Sequence, residues 1–195
     1  MTAYPVRERH ERFHGRMFSV VTDEVEFPGG QVAARDYLRH VGSVAVVALD
    51  AQEQVVLIRQ YRHPVGARLW ELPAGLTDVA GEPPAAVARR ELAEEANLRA
   101  DRWDLLVDLH PSPGCSNEWI RVFLARGLSP ADSQFRGEHE EAHLEVRRVP
   151  LTEAVDMVLA GQITNGPAIA GLLAAAHARD RGWAPLRPVD SPPPG

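Results

Sequence analysis

The chain has 195 residues, which suits one domain or one domain with a small appendage, and its 45% hydrophobic and 25% charged residues are ordinary for a globular protein. The formal net charge of -6 argues against binding to a nucleic-acid backbone, because such proteins usually carry a basic surface. The single cysteine, Cys115, excludes a disulfide framework within the chain and fits a reducing compartment.

Nothing in the sequence predicts a membrane protein. The N-terminal residues are polar and charged and lack the apolar core of a signal peptide. The longest apolar run, Val44 to Leu49, is far too short to cross a bilayer. We therefore expect a cytoplasmic protein that binds neither a membrane nor nucleic acid.

Eight segments before residue 150 are predicted to form strands. The evidence is alternating or continuous apolar residues bounded by turn residues such as Pro28-Gly29-Gly30. The segment 41–49 is apolar throughout, which predicts a strand buried on both faces. In chain order the predicted strands are 18–27, 31–37, 41–49, 54–61, 69–75, 103–110, 119–125 and 144–149.

Three helices are predicted between and after these strands. The first begins at Pro83 or Pro84, where a missing N–H costs nothing, and ends at Ala96, since Asn97 can adopt a left-handed conformation. Helical spacing also predicts helices over 151–160 and 168–178. With no internal repeat or interior linker, the mixture of strands and helices predicts an α/β sandwich.

The remaining segments are predicted to lack regular structure. Residues 111–117 form a loop between two strands, and the polar segment 129–141 is expected to be a longer loop. The tail, 183–195, is rich in proline and is expected to be disordered beyond Pro188.

The first helix carries an unusual acidic cluster. Glu91, Glu94 and Glu95 lie on one side of the helix, where like charges repel, and near the C-terminal end, where the helix dipole disfavours them. Mg²⁺ binds through such carboxylates and takes its remaining oxygens from water and substrate phosphate. Arg90 can pair with a carboxylate and hold it in position. The alternative is a solvated acidic helix face, the usual meaning of an acidic run taken alone.

The spacing around this cluster favours the metal site. A strand runs into the bend at Ala74-Gly75, Glu82 precedes the helix, and seven residues separate Glu82 from the Arg-Glu-Leu-x-Glu-Glu run. The Ala74 carbonyl at the bend is a further candidate ligand.

Gly75 to Leu98 resembles the Nudix box, G-x5-E-x7-R-E-U-x-E-E-x-G-U, in which U is an aliphatic residue. Two departures are visible: six residues instead of five separate Gly75 from Glu82, and Asn97 stands where the box has its last glycine. The resemblance implies a Nudix-type α/β/α sandwich with a mixed sheet and an N-terminal antiparallel strand extension. It also implies hydrolysis of a nucleoside diphosphate linked to another group. Mg²⁺ would be the cofactor, with Mn²⁺ as a possible substitute.

The flanks of the box resemble the ADP-ribose pyrophosphatase branch of this family. The similar segments are VVLIRQYRHPVGARLWELPAG before the box and HPSPGCSNEWIRVFLA after it, and Pro113 follows Asn97 by the sixteen residues typical of that branch. Arg35 and Arg62 are candidates to bind phosphate oxygens through a planar donor fork. Tyr37 and Trp70 could stack on adenine, although Trp70 is better explained as a core residue. The remaining candidate substrate-binding residues are Pro113, Gly114 and Ser116.

The resemblance also indicates where the general base lies. In this branch the base comes from an acidic residue on a loop after the sheet strands, which here is 137–143. Glu140 is the first choice and Glu141 the second, each against the alternative of a solvated acidic loop. With Arg90 and Glu95, these residues complete the predicted catalytic set.

Family resemblance further implies a homodimer in which the N-terminal strands complete the partner's adenine pocket. The predicted organisation is an N-terminal strand extension at 1–40, a hydrolase domain at 41–180 and a proline-rich tail at 181–195. Two alternatives remain: hydrolysis of another nucleoside diphosphate sugar, and a non-catalytic sensor of ADP-ribose or a related nucleotide. The intact box residues Arg90, Glu91, Glu94 and Glu95 favour an enzyme.

Overall fold

A computed structural model describes residues 3–132, 144–184 and 186–192. The elements are β1 (Val6–His14), β2 (Phe18–Glu26), β3 (Val32–His40), β4 (Ser43–Leu49), β5 (Gln54–Arg62), β6 (Ala67–Glu71), β7 (Ala74–Leu76), α1 (Pro84–Ala96), β8 (Leu98–Leu109), β9 (Ile120–Pro130), β10 (Glu145–Pro150), α2 (Leu151–Leu159) and α3 (Gly166–Asp180). The chain divides into two compact units, 1–42 with 110–119 and 43–109 with 120–195.

The first unit is an antiparallel sheet in the order β1-β2-β3, joined by the loop 110–119. The loop lies along the end of β3, where the Leu38 N–H donates to the Cys115 carbonyl at 2.9 Å and the Asn117 N–H donates to the Leu38 carbonyl at 3.1 Å. The Asn117 side chain also accepts the His40 N–H at 2.7 Å. These bonds hold the loop in a defined conformation on the strand.

The second unit is a mixed seven-stranded sheet between helices. Its strands follow the order β10-β5-β4-β9-β8, with β6 on β5 and β7 on β4, and β4 pairs with β9 in parallel. Successive side chains of β4 point to opposite faces of the sheet and enter two separate apolar cores. The core on the side of α2 and α3 contains Ala45, Val47 and Leu49. The core on the side of α1 contains Val44, Val46 and Ala48. The predicted α/β/α sandwich with a mixed sheet is therefore confirmed, as is the burial of β4 on both faces.

Close approach of α3 to the sheet depends on a glycine. A Cβ atom at Gly171 would lie 2.9 Å from Leu72 Cδ1 and 3.0 Å from methyl carbons of Val47 and Val122. These contacts are tighter than a packed core tolerates. The absence of a side chain therefore sets the distance between this helix and the sheet.

The ends of α1 lie where the sequence predicts them. Pro83 precedes the helix in an extended conformation, Pro84 is its first residue, and Asn97 ends it in the left-handed region with φ 51°. The Asn97 N–H donates to the Leu92 carbonyl. Asparagine can therefore replace the glycine of the motif at this position without changing the helix.

The structure also corrects three expectations. Val6–His14 forms β1, whose charged sequence has no pattern that predicts a strand, although it falls within the expected N-terminal strand extension. Strand β8 starts at Leu98, five residues before the predicted Trp103. The tail is ordered as far as Pro192, because Arg121 donates to the carbonyls of Ser191 and Pro192 at 2.7 and 2.8 Å. Among the described helices none is long and apolar enough to cross a membrane.

Candidate active site

The acidic cluster is positioned by the apolar face of α1. Val87, Ala88 and Leu92 are fully buried against the sheet. Glu91 and Glu95 follow the same side of the helix one turn on, so their side chains are drawn toward the sheet rather than into water. Glu95 is only 9% exposed. An acidic helix face that merely meets solvent would not bury a carboxylate to this extent.

Arg90 lies among three of these carboxylates. Its Nη1 donates to Glu91 Oε1 at 2.8 Å and to Glu94 Oε2 at 3.2 Å, while Nη2 lies 3.6 Å from Glu82 Oε2. Burial acts to lower the pKa of Arg90, but the negative charges of Glu91, Glu94 and Glu82 outweigh it, so the pKa lies above its ordinary value. The guanidinium therefore balances part of the negative charge of the cluster.

The glycine bend contacts the same helix. The Ala74 N–H donates to Glu95 Oε2 at 2.8 Å, which fixes the most buried carboxylate against the backbone of β7. At Gly75 an added Cβ would collide with the Glu91 carboxyl group. The glycine is thus explained by close approach of Glu91 to the backbone. The tertiary structure joins the two ends of the motif, the bend and the acidic run.

These residues fit a divalent cation. They offer carboxylate oxygens, the donors that hard cations prefer, and Glu82 Oε2 is buried without a hydrogen-bond partner in the described part of the chain. However, the box glutamates do not already have their oxygens gathered around one point. Among the described residues, the group of three ligating side chains with all donor atoms within 4.8 Å is Glu8, His10 and Glu24, on the exposed N-terminal strands.

Arg62 is held by a carboxylate that sequence reasoning missed. Its Nε donates to Glu71 Oε1 at 2.9 Å and its Nη2 to Glu71 Oε2 at 2.6 Å, and Glu71 is only 2% exposed. The available signal was a charged residue among apolar neighbours in Leu69-Trp70-Glu71-Leu72, where a buried carboxylate needs a partner. The two-point geometry fixes the plane of the Arg62 guanidinium.

Trp70 and Arg59 lie on the opposite face of the same strands. Trp70 is partly buried against the core beneath α3, and the Arg59 guanidinium lies 5.6 Å from the centre of its ring. This packing supports the interpretation of Trp70 as a core residue rather than a stacking surface for adenine.

The first unit holds the other candidate substrate residues. The Arg35 guanidinium lies 4.9 Å from the centre of the Phe27 ring, and the Tyr37 hydroxyl donates to Asp23 Oδ2 at 3.1 Å. Burial is the main reason that the pKa of Tyr37 is raised. Tyr37 is therefore a fixed side chain with a hydroxyl already in use.

The loop after β8 carries the remaining candidate substrate-binding residues. Pro113, Gly114 and Ser116 lie on this loop, where the Ser116 N–H donates to the Ser112 carbonyl at 2.9 Å and the Ser116 hydroxyl accepts the Glu118 N–H at 3.0 Å. The pairing of this loop with β3 places these residues beside the strand that carries Arg35 and Tyr37. The two expected general bases, Glu140 and Glu141, lie outside the described residues.

The chain is similar to proteins of known family and fold. Residues 39–171 match the model of the NUDIX domain. An ADP-ribose pyrophosphatase of Mycobacterium tuberculosis is 48% identical over 177 residues, which cover 91% of this chain and 84% of that protein. A GDP-mannose pyrophosphatase of Citrobacter koseri is 31% identical over 139 residues, 68% of this chain and 72% of that protein. A crystal structure of an ADP compounds hydrolase superposes with a TM-score of 0.77 at 20% identity, covering 94% of this chain and 98% of the other, which shows a shared fold.

Proposed function

The chain belongs to the NUDIX domain family, and from that premise we propose that it hydrolyses the diphosphate bond of ADP-ribose to AMP and ribose 5-phosphate with Mg²⁺ as cofactor. The observation that carries the proposal is the packing of the α1 carboxylates against the glycine bend, with Glu95 on the Ala74 N–H and Glu91 over Gly75. The similarity to an ADP-ribose pyrophosphatase over 91% of the chain supports the choice of substrate.

Glu91, Glu94, Glu95 and the Ala74 carbonyl are the proposed metal ligands. A divalent cation bound there would neutralise the diphosphate and make a nearby water more acidic. Arg90 already bonds Glu91 and Glu94, so its part is to hold these two carboxylates in place and to limit their mutual repulsion.

Water is proposed to attack the adenosyl phosphorus, and the leaving group is ribose 5-phosphate. A base within hydrogen-bond reach must remove a proton from this water as the new P–O bond forms. Glu140, and after it Glu141, are the proposed bases. A Glu140→Gln substitution that spares activity would transfer the role to Glu141.

The proposed substrate-binding residues are those that the sequence predicts. Arg62 and Arg35 suit phosphate oxygens because the guanidinium group offers two parallel donors. Tyr37 is the proposed stacking residue for adenine, whereas the packing of Trp70 on the core makes it the weaker candidate. Pro113, Gly114 and Ser116 complete the proposed set through the loop bonded to β3.

We also propose that the enzyme is a cytoplasmic homodimer that uses its N-terminal strands for association. Large exposed apolar side chains on this unit offer a contact surface for such an association. They include Tyr4, Phe13, Phe18 and Leu38. The division into 1–40, 41–180 and 181–195 stays a prediction from the sequence.

The test of the proposal is activity of the purified protein and of metal-site variants. With Mg²⁺ the wild type is expected to release AMP from ADP-ribose, measured by chromatography of the products. Glu94→Gln or Glu95→Gln should lower kcat/KM by about 100-fold or more, because a neutral amide is a poor ligand for a hard cation.

Glu153→Gln is the matched control, since Glu153 lies on α2 with an exposed side chain paired to Arg147. Its activity should equal that of the wild type. If all four proteins hydrolysed ADP-ribose equally, the metal site would be wrong.

A second candidate function is hydrolysis of a different nucleoside diphosphate sugar, and the 31% identity to a GDP-mannose pyrophosphatase favours it. A panel of ADP-ribose, other ADP-sugars, GDP-mannose and dinucleotides, ranked by kcat/KM, separates the two candidates. A protein that binds ADP-ribose but hydrolyses no member of the panel would instead be a sensor.

A further inference from the structure

Gln60 combines deep burial with an unused polar atom. It is only 7% exposed, and its side-chain oxygen Oε1 is buried without a hydrogen-bond partner in the described part of the chain. Leaving a carboxamide oxygen unpaired in a protein interior is unfavourable, and such atoms are rare in folded proteins. An unpaired oxygen at a functional face suggests that its partner is a ligand.

The register of β5 and β6 places Gln60 beside the Arg62–Glu71 ion pair. Opposite residues of antiparallel strands share a face, and the opposite pairs here are Arg62 with Ala67, Gln60 with Leu69 and Ile58 with Glu71. Arg62 and Glu71 therefore lie on either side of the Gln60–Leu69 pair. Because the guanidinium bonds both oxygens of the Glu71 carboxylate, the ion pair spans the position of Gln60.

This face of the sheet is the one that carries the proposed active site. Val56 lies four residues before Gln60 on β5, so the two side chains are on the same face of the strand. Val56 belongs to the apolar core that contains Val87 and Leu92 of α1. Along the face, exposure rises from Ile58, which is fully buried, to the Arg62 side chain, which is 42% exposed. Gln60 thus lies at the boundary between the core and the solvent-facing guanidinium.

From this arrangement we infer that Gln60 is a substrate-binding residue whose Oε1 accepts a hydrogen bond from a sugar hydroxyl of the bound nucleoside diphosphate sugar. The Arg62 guanidinium, held by Glu71, favours a phosphate oxygen next to that hydroxyl. A phosphate adjacent to a hydroxyl is the chemistry of a phosphorylated ribose. The inference rests on the proposed function and adds one recognition contact to it.

The test replaces the carboxamide, and with it the Oε1 acceptor, by an aliphatic group of similar volume. Gln60→Leu should lower kcat/KM for ADP-ribose by about 10- to 100-fold, the effect expected when a buried hydroxyl loses its acceptor. The affinity for ADP-ribose, measured by titration calorimetry in EDTA, should fall by a similar factor. The melting temperature should stay the same or rise, because the variant no longer buries an unpaired oxygen.

Gln54→Leu is the matched control: the same substitution on the same strand and the same face, at the far end of β5 where Gln54 is opposite Pro150. It should bind and hydrolyse ADP-ribose like the wild type. If Gln60→Leu does not fold, Gln60→Met provides the same test with a more flexible side chain.

The outcomes separate this inference from the proposed function. A Gln60→Leu protein with wild-type kcat/KM and affinity would show that Gln60 is only an unpaired core amide, while the hydrolase proposal would stand. A wild type without activity on ADP-ribose would overturn the proposed function. A loss that disappears with 2′-deoxy-ADP-ribose would assign the contact to the 2′-hydroxyl of the adenosine ribose, and one that persists would assign it to another sugar hydroxyl of the substrate.

Discussion

At the scale of single residues, Gly75 shows how a small side chain can serve chemistry rather than backbone conformation. The position needs no left-handed φ; it needs empty space, because a Cβ there would meet the Glu91 carboxyl group. Glu91 is a long side chain that can swing away. A larger residue at position 75 should therefore displace the carboxylate and leave the fold intact.

Gly75→Ala is expected to lower kcat/KM by about 10- to 100-fold, the scale seen when groups that orient a metal ligand are lost. The free energy of unfolding should change by no more than about 1 kcal/mol. Steady-state kinetics and urea denaturation measure the two effects. Gly166→Ala is the control, since a Cβ there meets no atom within 4 Å. A Gly75→Ala protein that lost activity only because it was strongly destabilised would contradict this view.

At the scale of elements, the three-stranded sheet of the first unit is joined by ionic and polar pairs as well as by its backbone. Arg9 on β1 donates twice to Asp23 on β2, at 2.6 and 2.7 Å, and Tyr37 on β3 donates to the same carboxylate. Asp23 is only 4% exposed. The hydrogen bonds from Arg9, which outweigh the opposing effect of burial, lower the pKa of Asp23.

The lowered pKa predicts a loss of stability in acid. Because the folded pKa lies below the unfolded value of about 3.9, Asp23 stabilises the fold above roughly pH 4, and this contribution is lost as the pH falls through the folded pKa. Asp23→Asn should lower the free energy of unfolding by about 1–3 kcal/mol at neutral pH. Between about pH 5 and pH 2.5, the unfolding free energy of this variant should fall less than that of the wild type.

Urea denaturation at a series of pH values measures this dependence. Asp180→Asn, at an exposed position on α3, should follow the wild-type curve. Parallel curves for Asp23→Asn and the wild type would show that the Asp23 carboxylate does not contribute as described.

At the scale of the whole molecule, the C-terminal segment is part of the folded second unit. The backbones of Leu105 and Arg187 exchange hydrogen bonds, and Arg187 donates to Asp108 at 2.8 Å. Asp108 also accepts from Arg121, whose side chain is 3% exposed and donates to the Ser191 and Pro192 carbonyls. The tail therefore supplies acceptors to a buried guanidinium.

A chain that ends at Val189 removes two of these acceptors and should lower the unfolding free energy by roughly 1–3 kcal/mol. The melting temperature should fall by roughly 3–10 °C, measured by calorimetry. Ser191→Ala in the full chain is the control, because Arg121 bonds the backbone oxygen of this residue. An unchanged melting temperature in the shortened chain would show that water replaces the tail without cost.

The sequence alone determined the elements whose signals are local. The continuous apolar run of β4, the proline start and Asn97 end of α1, and the spacing of Glu91, Glu94 and Glu95 are all contained in short segments. Periodicity and capping act between near neighbours in the chain, so these signals are sufficient to predict an α/β sandwich. The resemblance of the box to the Nudix family then implied the α/β/α layering.

Only the tertiary structure decided which distant groups meet. It paired Arg62 with Glu71 and Ala74 with Glu95, ordered the tail through Arg121, and made a strand of the charged segment Val6–His14 by pairing it with β2. The physical reason is that a buried charge or an unpaired backbone group is satisfied by whatever lies next to it in space, and that neighbour leaves no periodic mark in the sequence.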